Sequence, residues 1–357
     1  MPVLGGALLA AWLGVQPWVS WPGLFADTSH RLTLFLLSIA LVFSRLGVSN
    51  SARLPGAWVG WAVACLSVLG YGLRDAFRTG EYFTFFVETA VVSNGIACVV
   101  ALTLGLWAMI QQPVTVLRQM RWVGFAFLSV NIICALGQRL ASIEHAAGVL
   151  GIDRGLASYA VAWVPFGWAW HPLIGWMACV GLLLAGKPLA LVAALLALWP
   201  VVKQKWWLVL GVAAAQAILL PQVYAVTSKA SQRLDTWWHG LQASLAHPFV
   251  GWGFSPMVIG KIQHEYGYAL PSLHNDWLLL AVGAGWGVTV WALWLWGRAV
   301  FAAPVNQWAA ACQGSLLGLG CLSFVQSTVS HPRIASLALF LLAWWLVEQR
   351  TERVSHA

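Results

Sequence analysis

The stretch PSLHNDW, residues 271–277, sets Pro, Ser, His, Asn and Asp at the head of a strongly apolar run. An imidazole is the side chain best suited to take a proton near neutral pH. A helix that starts here offers partial positive charge and free N–H groups to an anion. The residue types predict that Ser272 caps the helix, with His274, Asn275 and Asp276 in its first turn. The field at that terminus disfavours imidazolium, which suits His274 to act as a base. Asp276 stands at i+2 from His274, a spacing that does not bring two side chains face to face on a helix. It is therefore expected to cap backbone or meet substrate. Two cations stand near it in the pattern of runs: Arg233, in the polar stretch before the motif, which taken alone reads as an interfacial arginine with a structural role, and Lys187, between two apolar runs. Glu88, in FFVETAVV, lies just inside an apolar run, where a charge near a helix centre costs about 2.5–3.5 kcal/mol. Acids in such places usually pair or work, although one close to the outer end can simply reach water.

Composition says what must position these groups. Of 357 residues 60% are hydrophobic and 8% charged, against about 25% charged in soluble domains. An all-α polytopic membrane protein is expected. A spanning helix needs roughly 20 apolar residues, and twelve candidate spans are read: 3–22, 31–46, 55–73, 84–110, 121–138, 156–170, 172–186, 188–202, 205–222, 274–303, 306–328 and 333–349. The first, beginning at Pro2, reads as a span and not as a cleaved signal. With both termini cytoplasmic, the inside connections hold Arg45, Arg53, Arg118, Arg121, Lys203, Lys205, Arg298, Arg350 and Arg353 against Glu348 and Glu352, as the positive-inside rule requires. Residues 223–273 then form one long outside loop. Its Leu234, Trp237, Trp238, Leu241 and Leu245 fall at helical spacing and predict an amphipathic helix at the membrane surface. The net charge of +8 is scattered at run ends, which argues against a nucleic-acid partner. The six cysteines lie in apolar runs without CxxC or His-paired spacing, so neither a disulfide framework nor a zinc site is indicated.

Order and spacing together bring out a resemblance. Arg233, Trp237, Pro248, Gly251 and Gly253 are followed, after a gap, by His274, Asn275, a leucine-rich helix and Gly285. This series resembles the shared domain of the O-antigen ligase family, which also includes O-antigen polymerases and bacterial protein O-oligosaccharyltransferases. The likeness covers residues 180–296; the pattern departs where Gly283 replaces an acid, Val288 a glycine, and Lys187–Pro188 an Arg–Gly pair. The resemblance implies a GT-C-like membrane glycosyltransferase in a bacterial inner membrane, working on the periplasmic side. It would move a glycan from a polyprenyl pyrophosphate carrier to an acceptor hydroxyl on a glycolipid (lipid A-core), a growing polysaccharide or a protein, with inversion and without a metal or other cofactor. His274 is then the base, and Arg233 and Lys187 the pyrophosphate clamp, with Ser272, Asn275, Asp276 and Glu88 in support. Three regions follow: an N-terminal bundle, 1–179; the ligase-like region with its loop, 180–303; and C-terminal helices with a short tail, 304–357.

The competing class is a flippase or transporter of lipid-linked sugars. A transporter should set its polar residues near the bilayer midplane, whereas here they gather at run ends and in one loop. Arg74, Arg78, Arg139 and Arg154, in outside connections, are assigned to lipid headgroups or to glycan, and His264, Glu265 and Tyr266 to a solvated loop face or an acceptor path. His171 and His331, each followed by Pro at a run boundary, are read as structural.

Overall fold

A computed structural model describes residues 109–110, 112–142, 148, 153–202, 220–249, 251–252, 264–266, 273–326 and 332–355. The expected spans before residue 109, most of span 205–222, and Glu88, Ser272, Gly253 and His331 lie outside them. Every regular element among the described residues is a helix. In chain order they are α1 (Val114–Leu140), α2 (Asp153–Trp163), α3 (Phe166–Ala169), α4 (Pro172–Ala185), α5 (Pro188–Val202), α6 (Leu220–Ala246), α7 (Asp276–Ala284), α8 (Trp286–Phe301), α9 (Gln307–Ser323) and α10 (Pro332–Ser355). By length and composition α1 can cross a membrane, and α4 and Leu189–Val201 are shorter apolar helices.

Two expected spans are broken. The run 156–170 divides into α2 and α3 at Val164–Pro165, where a proline cannot donate to the preceding turn. The run 274–303 divides into α7 and α8 at Gly285. The helix expected within the connection 223–273 is present and longer than its apolar spacing indicated: α6 runs from Leu220 to Ala246.

The main core joins α1, α2, α3, α4, α5, α8, α9 and α10. Small residues set the closest approaches: Gly314 of α9 lies against the Ala197 carbonyl of α5, and Gly318 against Ala193, Ala197 and Val161. The buried Ser315 hydroxyl donates to Ala162 O at 2.5 Å and to Ala311 O at 2.9 Å, so its burial leaves no donor unmet. Phe166, Trp344 and Trp308 form a ring stack with centroid spacings of 5.2 and 5.6 Å.

The charged groups of this bundle lie at its two ends, while Asn131 and Ser315 are buried between them. At one, Arg118 near the start of α1 meets Glu348 near the end of α10, and Asn306 before α9 joins them. Toward the same end Gln313 donates to Ala299 and Ala302 at the end of α8. At the other, Gln326 after α9 donates to Ser158 of α2 at 3.3 Å, and Arg139 near the end of α1 reaches Leu184 of α4. Chain direction puts the start of α7, and with it His274, at this second end.

Candidate functional site

The helix that PSLHNDW leads into begins within it, at Asp276, and its N-cap is Asn275, whose side chain accepts from the Leu278 N–H at 2.9 Å. The expectation that Ser272 caps the helix is therefore corrected. Asn275 stands at the spacing from Leu278 that closes the cap and has the extended backbone a cap requires, φ −151° and ψ 108°. His274 consequently precedes the helix and is not in its first turn. It is buried and adopts a positive φ of 49°, a left-handed conformation uncommon for a residue with a Cβ.

Both flanks of His274 are held. The Trp237 indole N–H donates to the carbonyl of Leu273, the residue just before it, at 2.8 Å. Asn275, the residue just after it, is fixed as the cap. A strained backbone persists only where its surroundings over-determine it, and these two bonds do so.

Trp237 belongs to a second apolar cluster, separate from the main core, made of Ala243, Trp252, Leu273, Leu278 and Val282 with Trp237, Leu241, Tyr266 and Leu279 packed around it. It forms because Gly240 lets α6 approach: a Cβ there would lie 2.6 Å from Leu273 Cδ2 and 3.0 Å from Leu278 Cδ2. The predicted amphipathic face of α6 therefore divides. Trp237 and Leu241 turn to the cluster, while Leu234, Trp238 and Leu245 are exposed.

The turn carrying Pro248, Phe249, Gly251 and Trp252 fits against the break between α7 and α8. The Trp286 N–H donates to Pro248 O and the Trp252 N–H to Val282 O, both at 2.7 Å. The Trp252 indole donates to Ala243 O, also at 2.7 Å, and closes the turn onto α6. Gly285, φ 86°, has no room for a Cβ, which would lie 2.6 Å from Phe249 C and O. Gly251, φ 68°, sits on the backbone of Gly283 and Ala284 in the same way. The described glycines of the sequence pattern thus have a packing role: they let a turn lie across a helix break and brace the helix that follows His274.

Arg233 lies one helical turn before Trp237, on the same side of α6. It is part-buried, and its Nη1 donates to Val325 O at 3.2 Å, which ties α6 to the end of α9. Trp277 makes a second tie: its indole donates to Gly320 O at 3.1 Å, and its ring packs against Trp296 and Phe324. Arg233, Trp237 and the backbone around His274 are therefore brought together. Lys187 stands at the same end of the bundle, on the half-exposed turn between α4 and α5. Asp276 opens α7, where an acid complements the helix dipole.

Other candidates take structural places. His171 is the N-cap of α4, its Nδ1 accepting from the Leu173 N–H at 3.2 Å. Arg139 donates twice to Leu184 O, at 3.2 and 3.0 Å, and so holds the C-terminus of α4. His264 and Glu265 are exposed, whereas Tyr266 packs edge-on against Trp252. Among the described residues no three His, Cys, Asp or Glu side chains gather as metal ligands. Trp252 and Trp277 were missed as site-forming residues, because an indole in so tryptophan-rich a chain gives no sequence signal of the carbonyl it will bind.

No protein-family model matches the chain, and no curated protein matches it.

Proposed function

We propose that the protein is a multi-span membrane glycosyltransferase that moves a glycan from a polyprenyl pyrophosphate carrier to an acceptor hydroxyl at the periplasmic face of a bacterial inner membrane. The observation that carries this reading is the arrangement around His274: a buried imidazole on a left-handed backbone, held by Trp237 on one side and the Asn275 cap on the other, with Arg233 one turn away. In the reaction the acceptor oxygen attacks the anomeric carbon as the bond to the pyrophosphate oxygen breaks, with inversion. The hydroxyl proton passes to His274, and the charge left on the polyprenyl pyrophosphate is met by Arg233 and Lys187. General-base help is worth about 10²- to 10⁴-fold, and charge-assisted bonds to the leaving group act where charge develops.

Ligases, polymerases and protein-glycosylating enzymes share this donor half and differ in the acceptor. The polar groups at the His274 end favour chemistry on a carrier over passage through the bilayer midplane. The test is reconstitution in liposomes with a polyprenyl pyrophosphate-linked glycan and a glycolipid acceptor. Release of one polyprenyl pyrophosphate per glycosylated acceptor is expected. Carrier that crosses the bilayer unchanged, with no release toward glycolipid, polysaccharide or protein acceptors, would mark a flippase and overturn the proposal.

A further inference from the structure

We propose that the end of the bundle opposite His274 holds the phosphate of an anionic membrane lipid, bound by Arg121. The inference rests on the multi-span reading above and on none of its transfer chemistry. Arg118 and Arg121 stand at i and i+3 on α1 and so lie side by side. Arg118 is matched: its Nε and Nη2 donate to the two oxygens of Glu348, each at 2.7 Å. Glu348 also accepts from Asn306 Nδ2 at 2.8 Å and from the Trp344 indole at 2.9 Å. A carboxylate has about four lone-pair sites, and these bonds fill them. Glu348 therefore has no site left for a second guanidinium.

Arg121 is placed differently. Its guanidinium carbon lies 4.6 Å from the Trp170 ring centroid and 4.7 Å from that of Trp308. Its Nε is buried and has no acceptor among the described residues. Indole faces engage the plane of a guanidinium, and with Nε closed off beside them the paired Nη groups are the donors that Arg121 offers to a ligand. That is the geometry for two parallel bonds to one phosphate. Trp122, 5.9 Å away and 55% exposed, supplies the kind of ring that settles at headgroup depth. Arg298, exposed and stacked at 5.1 Å on Trp294 toward the same end, adds to the field that draws an anionic lipid there.

The structural alternative is that Arg121 only staples α1 to the turn before α4 and to α9. Lipid selectivity separates the two. The purified full chain, titrated with phosphatidylglycerol or phosphatidylcholine and read by native mass spectrometry, should retain phosphatidylglycerol with a preference of about tenfold, as one charge-assisted pair allows. Arg121→Gln should bring the two lipids to parity, whereas Arg298→Gln, which removes only a neighbouring charge, should lower the preference by no more than about twofold. Arg121→Lys, which keeps the charge and loses the fork, should lower it several-fold, and it decides the matter if Arg121→Gln does not accumulate. No preference in the wild type, or one unchanged in both Arg121 variants, would overturn the proposal. So would an Arg121→Gln protein destabilised equally in both lipids with selectivity intact. Competition by inorganic phosphate at millimolar concentration, with no retention of phosphatidylglycerol, would assign the site to a soluble phosphate and overturn the lipid assignment. Loss of donor turnover in the reconstitution assay would leave this result standing.

Discussion

Gly285→Ala should unlatch the brace behind His274. The backbone at Gly285, φ 86° and ψ 168°, belongs to a region that residues with a Cβ essentially do not occupy, at a cost of about 1–3 kcal/mol. The added Cβ would also lie 2.6 Å from Phe249 C and O and 2.9 Å from Pro248 O. Those atoms are backbone and cannot swing aside as a side chain can, so the clash adds about 1–3 kcal/mol. If the turn moves away, the bond from Trp286 N–H to Pro248 O is lost, worth about 1 kcal/mol. The expected destabilisation is about 2–6 kcal/mol. Gly287→Ala is the internal control: two residues along, already helical, with nothing within 4 Å of its added Cβ. Helix propensity alone predicts that it is neutral or stabilising by up to about 1 kcal/mol. Thermal unfolding of the two purified variants beside the wild type reads the difference. A Gly285→Ala protein that melts with the wild type would show that the turn and the helix break do not constrain one another.

Three further substitutions probe the same framework. Trp237→Phe keeps the ring in the second cluster but removes the donor to Leu273 O; it should cost about 1–2 kcal/mol of stability and slow transfer at least about tenfold by freeing the backbone at His274, and transfer at the wild-type rate would refute the tether. Arg233→Lys should impair donor use far more than a charge-conserving change ordinarily does, because a point charge cannot reproduce the planar fork; steady-state kinetics against donor concentration check it, and wild-type kinetics would remove Arg233 from the clamp. Glu348→Ala leaves Arg118, Asn306 and Trp344 without their shared acceptor and should destabilise by about 2–4 kcal/mol, read by thermal unfolding; a loss below about 1 kcal/mol would show the network to be dispensable.

Much of the helical framework was legible in the run lengths. Expected spans 172–186 and 188–202 coincide with α4 and α5 because Pro172, Gly186 and Pro188 punctuate them: proline at a first position and glycine in a left-handed C-cap at φ 61°. The break at Gly285 was not legible, since apolar residues run through it without interruption and the cause lies in Pro248 and Phe249, some 36 residues earlier in the chain. Ser272 and Asn275 are both capping types, so residue preference alone did not choose between them; the extended backbone at Asn275 and its bond to Leu278 decided it. Arg139 and Glu348 illustrate a third limit. As single charges near run ends they look like solvent- or headgroup-facing residues, yet one closes the end of α4 and the other is buried against Arg118 across 230 residues of sequence. The members of the resemblance pattern that lie among the described residues, Arg233, Trp237, Pro248, Gly251, His274, Asn275 and Gly285, frame one corner of the fold.

The central claim is that His274 takes the acceptor proton, and the most direct measurement is the rate of glycan transfer by purified His274→Ala and His274→Gln with saturating lipid-linked donor. The account predicts a fall of at least about 10²-fold, with membrane insertion and donor binding close to wild type, while His171→Ala, which only uncaps α4, transfers near the wild-type rate. Transfer by His274→Ala at the wild-type rate, with an unchanged pH profile, would contradict it.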